Sequence, residues 1–155
     1  MKKVVVMSDN HGNHDCLKRI KELEKEADYY IHCGDSEATM DLLESFYVVR
    51  GNNDWYNTKL PREIILEVEG IKIYIFHGER VGYFNTKDKL ANLGKINDCQ
   101  IVLFGHFHIP CHEIVDGIHI INPGSTSLPR GGSNPSYAYL EINNGKIFVD
   151  IRDYK

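Results

Sequence analysis

Five times in this chain a short, largely apolar run stops abruptly at residues that carry metal-binding or turn-forming atoms. Residues 4–7 give way to Ser8-Asp9-Asn10-His11-Gly12, and residues 29–33 to Gly34-Asp35. Residues 47–49 lead, past Arg50, into Gly51-Asn52-Asn53-Asp54. Residues 73–76 end at His77-Gly78, and residues 101–104 at Gly105-His106-Phe107-His108. Runs this short bounded by turn formers read as strands, and strands apolar throughout are those covered on both faces. In open α/β sheets the crevice beyond the carboxyl ends of the strands is where ligands bind. The pattern therefore predicts a sheet protein with five chemically equipped strand ends converging in space.

The segments between these runs supply the rest of the fold. Leu17, Ile20, Leu23 and Ala27 recur at helical spacing, with Lys and Glu on the other face, and residues 39–45 predict a second helix. The first third then reads β-α-β-α-β, with parallel strands and right-handed crossovers. Further on, 63–68 and 72–76 flank Glu69-Gly70 as a hairpin. So do 113–115 and 119–121 around Asp116-Gly117, and 137–142 and 147–151 around Asn143-Asn144-Gly145. Residues 86–93 predict a helix closed by Gly94. The expected fold class is α/β, with two packed mixed β-sheets flanked by helices as a four-layer α-β-β-α sandwich. It forms a single domain over residues 1–155, a length that buries a substantial core without covalent staples.

Composition narrows the function classes. Eighteen Lys and Arg against 22 Asp and Glu give a net charge of -4, without the basic excess of a protein that binds nucleic acid through its phosphates. No stable nucleic-acid complex is expected. No apolar run approaches the roughly 20 residues of a membrane span, so no membrane partner is expected either. The first seven residues read as a strand and not as a signal peptide, which predicts a cytoplasmic protein. Cys16, Cys33, Cys99 and Cys111 are widely spaced and form no C-x-x-C, so they read as reduced, mostly buried thiols.

Asp9 with His11, and His106 with His108, are spaced by two. On extended backbone each pair would point one way and present two donors to one cavity. The neighbouring glycines let the chain turn sharply. Singly, D-x-H, G-D and H-x-H are commonplace; their succession at strand ends is what carries meaning. His32 lies within an apolar strand and reads as structural, and His112 and His119 fall on a surface hairpin. Tyr83, Phe84 and Phe107 read as packing residues, with a substrate-stacking wall as the alternative. Ser125 and Asn122 read as turn formers or as hydrogen-bond partners of the site.

The ordered motifs D-x-H, G-D, G-N-x-[DE], H and G-H-x-H resemble the signature of the calcineurin-like metallophosphoesterase superfamily. Asn122-Pro123-Gly124-Ser125 followed by Pro129-Arg130 resembles its small prokaryotic YfcE-type phosphodiesterase branch. The resemblance implies two divalent ions per chain. One would be held by Asp9, His11 and His108, the other by Asn52, His77 and His106, with Asp35 bridging them. Carboxylate, imidazole and amide ligands without thiolate suit manganese, the expected ion, and also nickel, zinc or iron. The implied reaction is hydrolysis of a phosphate ester, a diester first, by a hydroxide bridging the ions.

Asp35, Asn52, Asp54 and His77 are the implied catalytic set, Asp54 by orienting Asn52, a histidine ligand or the water. Asn53, Arg130 and His14 are the expected substrate contacts. Asn53 stands where many members of the superfamily have a proton-donating histidine, and an amide cannot take that role; His14 or a metal-bound water is the expected substitute. Arg130 reads equally as a phosphate contact or as a solvated loop arginine. The expected partner is a small-molecule or nucleotide-derived phosphate ester, with homo-oligomer formation left open. Two alternatives stand beside this reading. One is a phosphomonoesterase on the same site; the other is a non-catalytic scaffold resembling the retromer subunit, for which altered ligands and an exposed apolar patch are expected.

Overall fold

The alternation of side chains along the strands sets the layers. In the computed structural model, which describes residues 1–155, strand β1 (Lys2–Met7) sends Val4 and Val6 to one face and Val5 and Met7 to the other. Helix α1 (Asp15–Leu23) lies on the Val5 and Met7 side and buries Cys16, Leu17 and Ile20 there. β2 (Tyr29–His32) and β3 (Phe46–Val48) run parallel to β1. The hairpin β4 (Glu63–Val68) and β5 (Ile71–Phe76) starts the second sheet. It continues through α2 (Thr86–Ile96), β6 (Ile101–Leu103), β7 (Cys111–Val115) and β8 (Ile118–Asn122). The final hairpin, β9 (Ser136–Asn143) and β10 (Lys146–Asp153), returns to the first sheet and pairs antiparallel with β1.

Each sheet has five strands, ordered β10-β9-β1-β2-β3 and β4-β5-β6-β8-β7. Between them sits a dry cluster including Val4, Val6, Ile31, Ile73, Ile75, Ile101, Leu103, Ile121, Ala138 and Leu140. Each such Val, Leu or Ile contributes roughly 1.5–3 kcal/mol by leaving water. The outer faces are covered separately. Val5, Met7, Tyr137 and Tyr139 pack on α1, and Tyr74, Phe76, Val102 and Ile120 pack with Leu90 and Ala91 of α2. The result is the four-layer α-β-β-α sandwich expected from sequence. No helix is long and apolar enough to cross a membrane.

Two local expectations fail for identifiable reasons. Residues 39–45 form successive turns, not a helix. Their amides bond three residues back, Leu42 to Thr39, Leu43 to Met40 and Phe46 to Leu43, at 3.0–3.2 Å. Seven residues are too few to repay helix nucleation. The Thr39 hydroxyl bonds Asp41 and competes with the ladder, and Ser45 is left-handed at φ 75°. The second crossover is therefore a loop.

Gly94 does not end α2 but lies inside it, and the helix runs on to Ile96 with Asn97 as its cap. A Cβ there would stand 2.9 Å from Ile118 Cγ2 and 3.1 Å from Val102 Cγ2. The glycine lets the helix lie close on its sheet.

Candidate metal centre

All five equipped strand ends lie at one edge of the sandwich, where the sheets meet. The loops after β1, β2 and β3 approach those after β5 and β6 across the seam. They are locked by backbone bonds. Asp9 N–H donates to Gly34 O at 3.0 Å, His11 N–H to Asp35 O at 3.0 Å and Gly105 N–H to His77 O at 2.8 Å. The His106 amide crosses from one sheet to the other and donates to Asp9 Oδ2 at 2.9 Å.

Convergence is not achieved on extended backbone, as the spacing of two suggests. Asp9, His11, Asp35, His106 and His108 all have positive φ, between 43° and 67°. Left-handed backbone is costly for residues other than glycine and persists where the surroundings over-determine it. Close approach also demands glycine at two places. A Cβ on Gly51 would lie 2.1 Å from Asp35 Oδ1, and one on Gly105 would lie 2.1 Å from Ser8 Oγ and 2.6 Å from Asp9 Oδ2.

Two donor groups result, Asp9 with His11 and His108, and Asp9 with Asp35 and His77. Within each, the candidate ligand atoms lie within 4.8 Å of one another. Asp9 Oδ1 is 3.3 Å from His108 Nε2, 3.7 Å from His11 Nε2 and 3.8 Å from His77 Nε2. Asp35 Oδ2 is 3.3 Å from His77 Nε2 and 3.7 Å from His11 Nε2, so it touches a histidine of each group. Asn52 Oδ1 and His106 Nδ1 stand 3.3 Å apart. His106 is edge-on to His77, with ring centroids 5.2 Å apart. The seven residues named from sequence are thus together, with Asn52 exposed at the mouth.

The hydrogen bonds fix which nitrogens face inward. His11 Nδ1 donates to Glu37 Oε2 at 2.9 Å, His77 Nδ1 to Cys33 O at 2.7 Å and His108 Nδ1 to Leu128 O at 2.7 Å. A carboxylate or carbonyl only accepts, so in each neutral ring Nε2 keeps a lone pair. The Nε2 atoms of His11 and His108 are then two lone pairs facing each other at 3.2 Å. Asp9 Oδ1 and His77 Nε2 are buried without any hydrogen-bond partner. Buried polar atoms are nearly always satisfied, and histidine metal ligands are oriented by a bond at their other nitrogen. This donor set fits divalent cations.

The electrostatics agree. Burial pushes the Asp9 carboxyl up, but His108, His11 and His77 outweigh it and hold the group well below the ordinary carboxylate range. Burial likewise opposes ionisation of Asp35, and His77 and Asn53 overcome it, lowering its pKa. His77 is pushed down by burial yet raised to about 9 overall by Asp35 and Asp9. His11 is raised, chiefly by Asp9. Carboxylates and imidazoles thus stabilise one another's charged forms, and Asp9 and Asp35 stay ionised and ready to meet a cation.

The remaining candidates surround this cluster. Asp54 is buried and accepts three backbone amides, from Asp35 and Gly51 at 2.8 Å and Glu37 at 2.9 Å. Its side chain holds the ligand loops and bonds neither Asn52 nor a histidine. Asn53 donates through its backbone to Asp35 Oδ1 at 2.8 Å and through its side chain to Asp35 Oδ2 at 2.9 Å. His14 lies against Glu37 O at 3.0 Å through Nε2, so that N–H is engaged. Arg130 is exposed, and its amide donates to His108 O at 3.0 Å, which puts it beside a ligand. Ser125, buried, donates to Asp9 O at 2.7 Å, and Asn122 donates to Gly105 O at 3.0 Å.

Tyr83 and Phe84 are not packing residues, being 82% and 76% exposed; only Phe107 is half-buried against the outer core. Tyr83 stands edge-on to Phe107, and Phe107 edge-on to His106. His32 is structural as expected. It donates to Asn10 Oδ1 at 2.7 Å and accepts from Gly34 N at 3.0 Å.

The sequence assigned no role to several participants. Ser8 donates to Asp9 Oδ2 at 2.6 Å, and Ser127 to Asn10 O at 2.9 Å. Glu37 alone carried a signal, since it follows Asp35 by two.

Comparison with known proteins gives the same reading. Residues 1–145 match the model of the calcineurin-like phosphoesterase superfamily domain. A probable metallophosphoesterase of Bacillus subtilis (strain 168), YsnB, is 36% identical over 97% of this chain and 90% of its own. The phosphodiesterase YfcE of Escherichia coli (strain K12) is 26% identical over 91% of this chain and 88% of its own. The crystal structure of a conserved Streptococcus pneumoniae TIGR4 protein described as a predicted phosphoesterase superposes with a TM-score of 0.90. It is 32% identical and covers 99% of this chain and 90% of its own. With its candidate metal ligands gathered at one seam, this chain belongs to the calcineurin-like metallophosphoesterases and is a metal-dependent phosphoesterase.

Proposed function

We propose that the chain is a cytoplasmic phosphodiesterase that works with two divalent ions, manganese first among them, on small or nucleotide-derived esters. The observation that carries the reading is the approach of His11 Nε2 and His108 Nε2 to 3.2 Å, each with its Nδ1 engaged elsewhere, flanked by unpartnered Asp9 Oδ1 and His77 Nε2. Asp9, His11 and His108 would hold one ion and Asn52, His77 and His106 the other, with Asp35 between. When bound, the ions supply Lewis-acid stabilisation of the phosphoryl oxygens and activation of water.

The chain's own residues do the rest. Asp9 and Asp35 take away only part of the ions' charge, so the seam stays attractive to phosphate on an acidic protein. Asn53 keeps Asp35 in place through two bonds. Arg130, anchored at His108 O, is within the same loop shell and would bind a substrate oxygen. Neither Asn53 nor the engaged Nε2–H of His14 is a free proton donor, which favours esters with good leaving groups. The diester preference draws support from the name of the E. coli relative. The scaffold alternative expects altered ligands, and all seven positions keep metal-binding atoms.

The test compares bis-p-nitrophenyl phosphate with p-nitrophenyl phosphate, with Mn2+, Ni2+, Zn2+ or Fe2+ added and bound metal measured. Faster diester turnover is expected. Faster monoester turnover would make the chain a monoesterase, and no turnover with any ion would sink the hydrolase reading.

A further inference from the structure

Beside the metal cluster, and sharing Asn52 with it, lies a cavity of about 260 Å³ lined by Arg50, Gly51, Asn52, Trp55, Arg62 and Glu79. Two of these lining residues each also carry a buried side-chain atom without a hydrogen-bond partner, Arg50 Nε and Glu79 Oε2. Together with Asp9 Oδ1 and His77 Nε2 of the cluster, they are the unpartnered buried side-chain atoms of the whole chain. A buried donor and a buried acceptor left unmade on two residues that line one cavity are each costly and mark these side chains as short of polar partners. A ligand bearing an acceptor beside a donor relieves both. Trp55 adds a flat indole, 76% exposed, that the protein packs only edge-on against Tyr56.

These features choose between ligands. A second phosphate would meet the Arg50 and Arg62 guanidinium groups but also the Glu79 carboxylate, and an indole offers it nothing. A planar heterocycle uses all of them. Arginine pairs with ring and exocyclic acceptors of bases, carboxylates accept from their N–H groups, and aromatic side chains stack on their faces. The cavity is smaller than the roughly 300–1,000 Å³ of drug-sized sites, which suits one ring system.

Resting on the phosphoesterase reading, we propose that this cavity is a nucleobase subsite, so that the preferred ester carries a nucleoside on the phosphate held at the seam. The base stacks on Trp55, Arg50 donates to an acceptor on it and Glu79 accepts from an N–H. Guanine presents O6 and N7 as acceptors and N1–H and the 2-amino group as donors on adjoining edges, so it is the first base to try.

Trp55 is the single tryptophan of the chain, so its fluorescence reads the subsite directly and without turnover. Titration of the metal-loaded protein with guanosine 5′-monophosphate is expected to quench it saturably, while ribose 5-phosphate leaves it bright. Arg50→Met is expected to weaken the quenching roughly tenfold. In a second arm, turnover of guanosine 5′-(p-nitrophenyl phosphate) is divided by that of bis-p-nitrophenyl phosphate. The ratio is expected to fall roughly tenfold in Arg50→Met and in Trp55→Ala, through KM and not kcat, with thermal melting showing both variants folded. Equal quenching by ribose 5-phosphate overturns the base assignment. So does an unchanged ratio in both folded variants. Absence of turnover on both esters with every ion overturns the hydrolase reading instead, and the quenching still judges the subsite.

Discussion

The two places where buried polar atoms lack partners are held with very different firmness. At the seam, most candidate ligands sit on left-handed backbone, the loops are pinned by amide bonds, and the rings of His11, His77 and His108 are fixed at the second nitrogen by Glu37, Cys33 and Leu128. In the neighbouring cavity, Arg50 is tied only through its amide to Pro61 O at 2.7 Å, and the Trp55 side chain stands in solvent. Donors that must meet a metal need placement to a fraction of an ångström. Groups that choose among substrates work as adaptable, long side chains.

The contrast breaks most sharply at Asp35. Asp35→Asn is expected to lower metal content at both positions and turnover of every ester by more than about 100-fold, exceeding the loss typical of residues behind the ligands. A substitution in the cavity should change only the preference among esters. Asp35→Asn protein with full activity and full metal would erase the distinction.

Next in size is Asp54→Ala. It leaves three backbone amides of the ligand loops without their acceptor and should cost about 4 kcal/mol in urea unfolding. A cost below about 0.5 kcal/mol would mean that the loops are not held in this way.

His32 tests the same rigidity through pH. Burial lowers its pKa to about 4 from an ordinary 6.5, so the folded chain keeps it neutral. That contribution is fully present above about pH 6.5, because there both folded and unfolded chains carry it uncharged. It is lost as pH falls toward 4, where only the unfolded chain takes up the proton freely, a swing of about 3 kcal/mol. Protonation would also remove the acceptor for Gly34 N–H. In His32→Gln the loss of stability between pH 6.5 and 4 should flatten; an unchanged slope would assign it to other groups.

The smallest effect is expected from Glu37→Gln. It keeps an acceptor for His11 but removes the charge, and it should weaken metal binding about tenfold, as measured by competition with a chelator.

The sequence points to the candidate ligands because each stands within a few residues of an apolar run whose end it marks. The layers were legible for a similar reason: residues such as Ile73, Tyr74, Ile75 and Phe76 alternate between two covered faces. What escaped was conformation and distance. Spacing of two in Asp9-Asn10-His11 implied extended backbone, yet the side chains converge because both residues are left-handed. The carbonyls of Cys33 and Leu128 aim two histidines, and a carbonyl has no letter. Residues 39–45 have helix-forming composition but too little length to express it. Arg50 and Glu79 are far apart along the chain, and only the stacking of the sheets makes them neighbours.

The position of β1 governs when this centre comes into being. β1 pairs on one side with β2 and on the other with β9, whose residues are 136–143. Asp9 leaves the ribosome long before residues 136–143 do, so the nascent chain cannot complete the pairing of β1 until β9 follows. Pairings this remote in sequence also slow folding. The loop that carries Asp9 and His11 is thus buttressed on both sides only after β9 has arrived. A chain cut before residue 136 would carry every candidate ligand and is expected to bind metal more weakly than the whole chain.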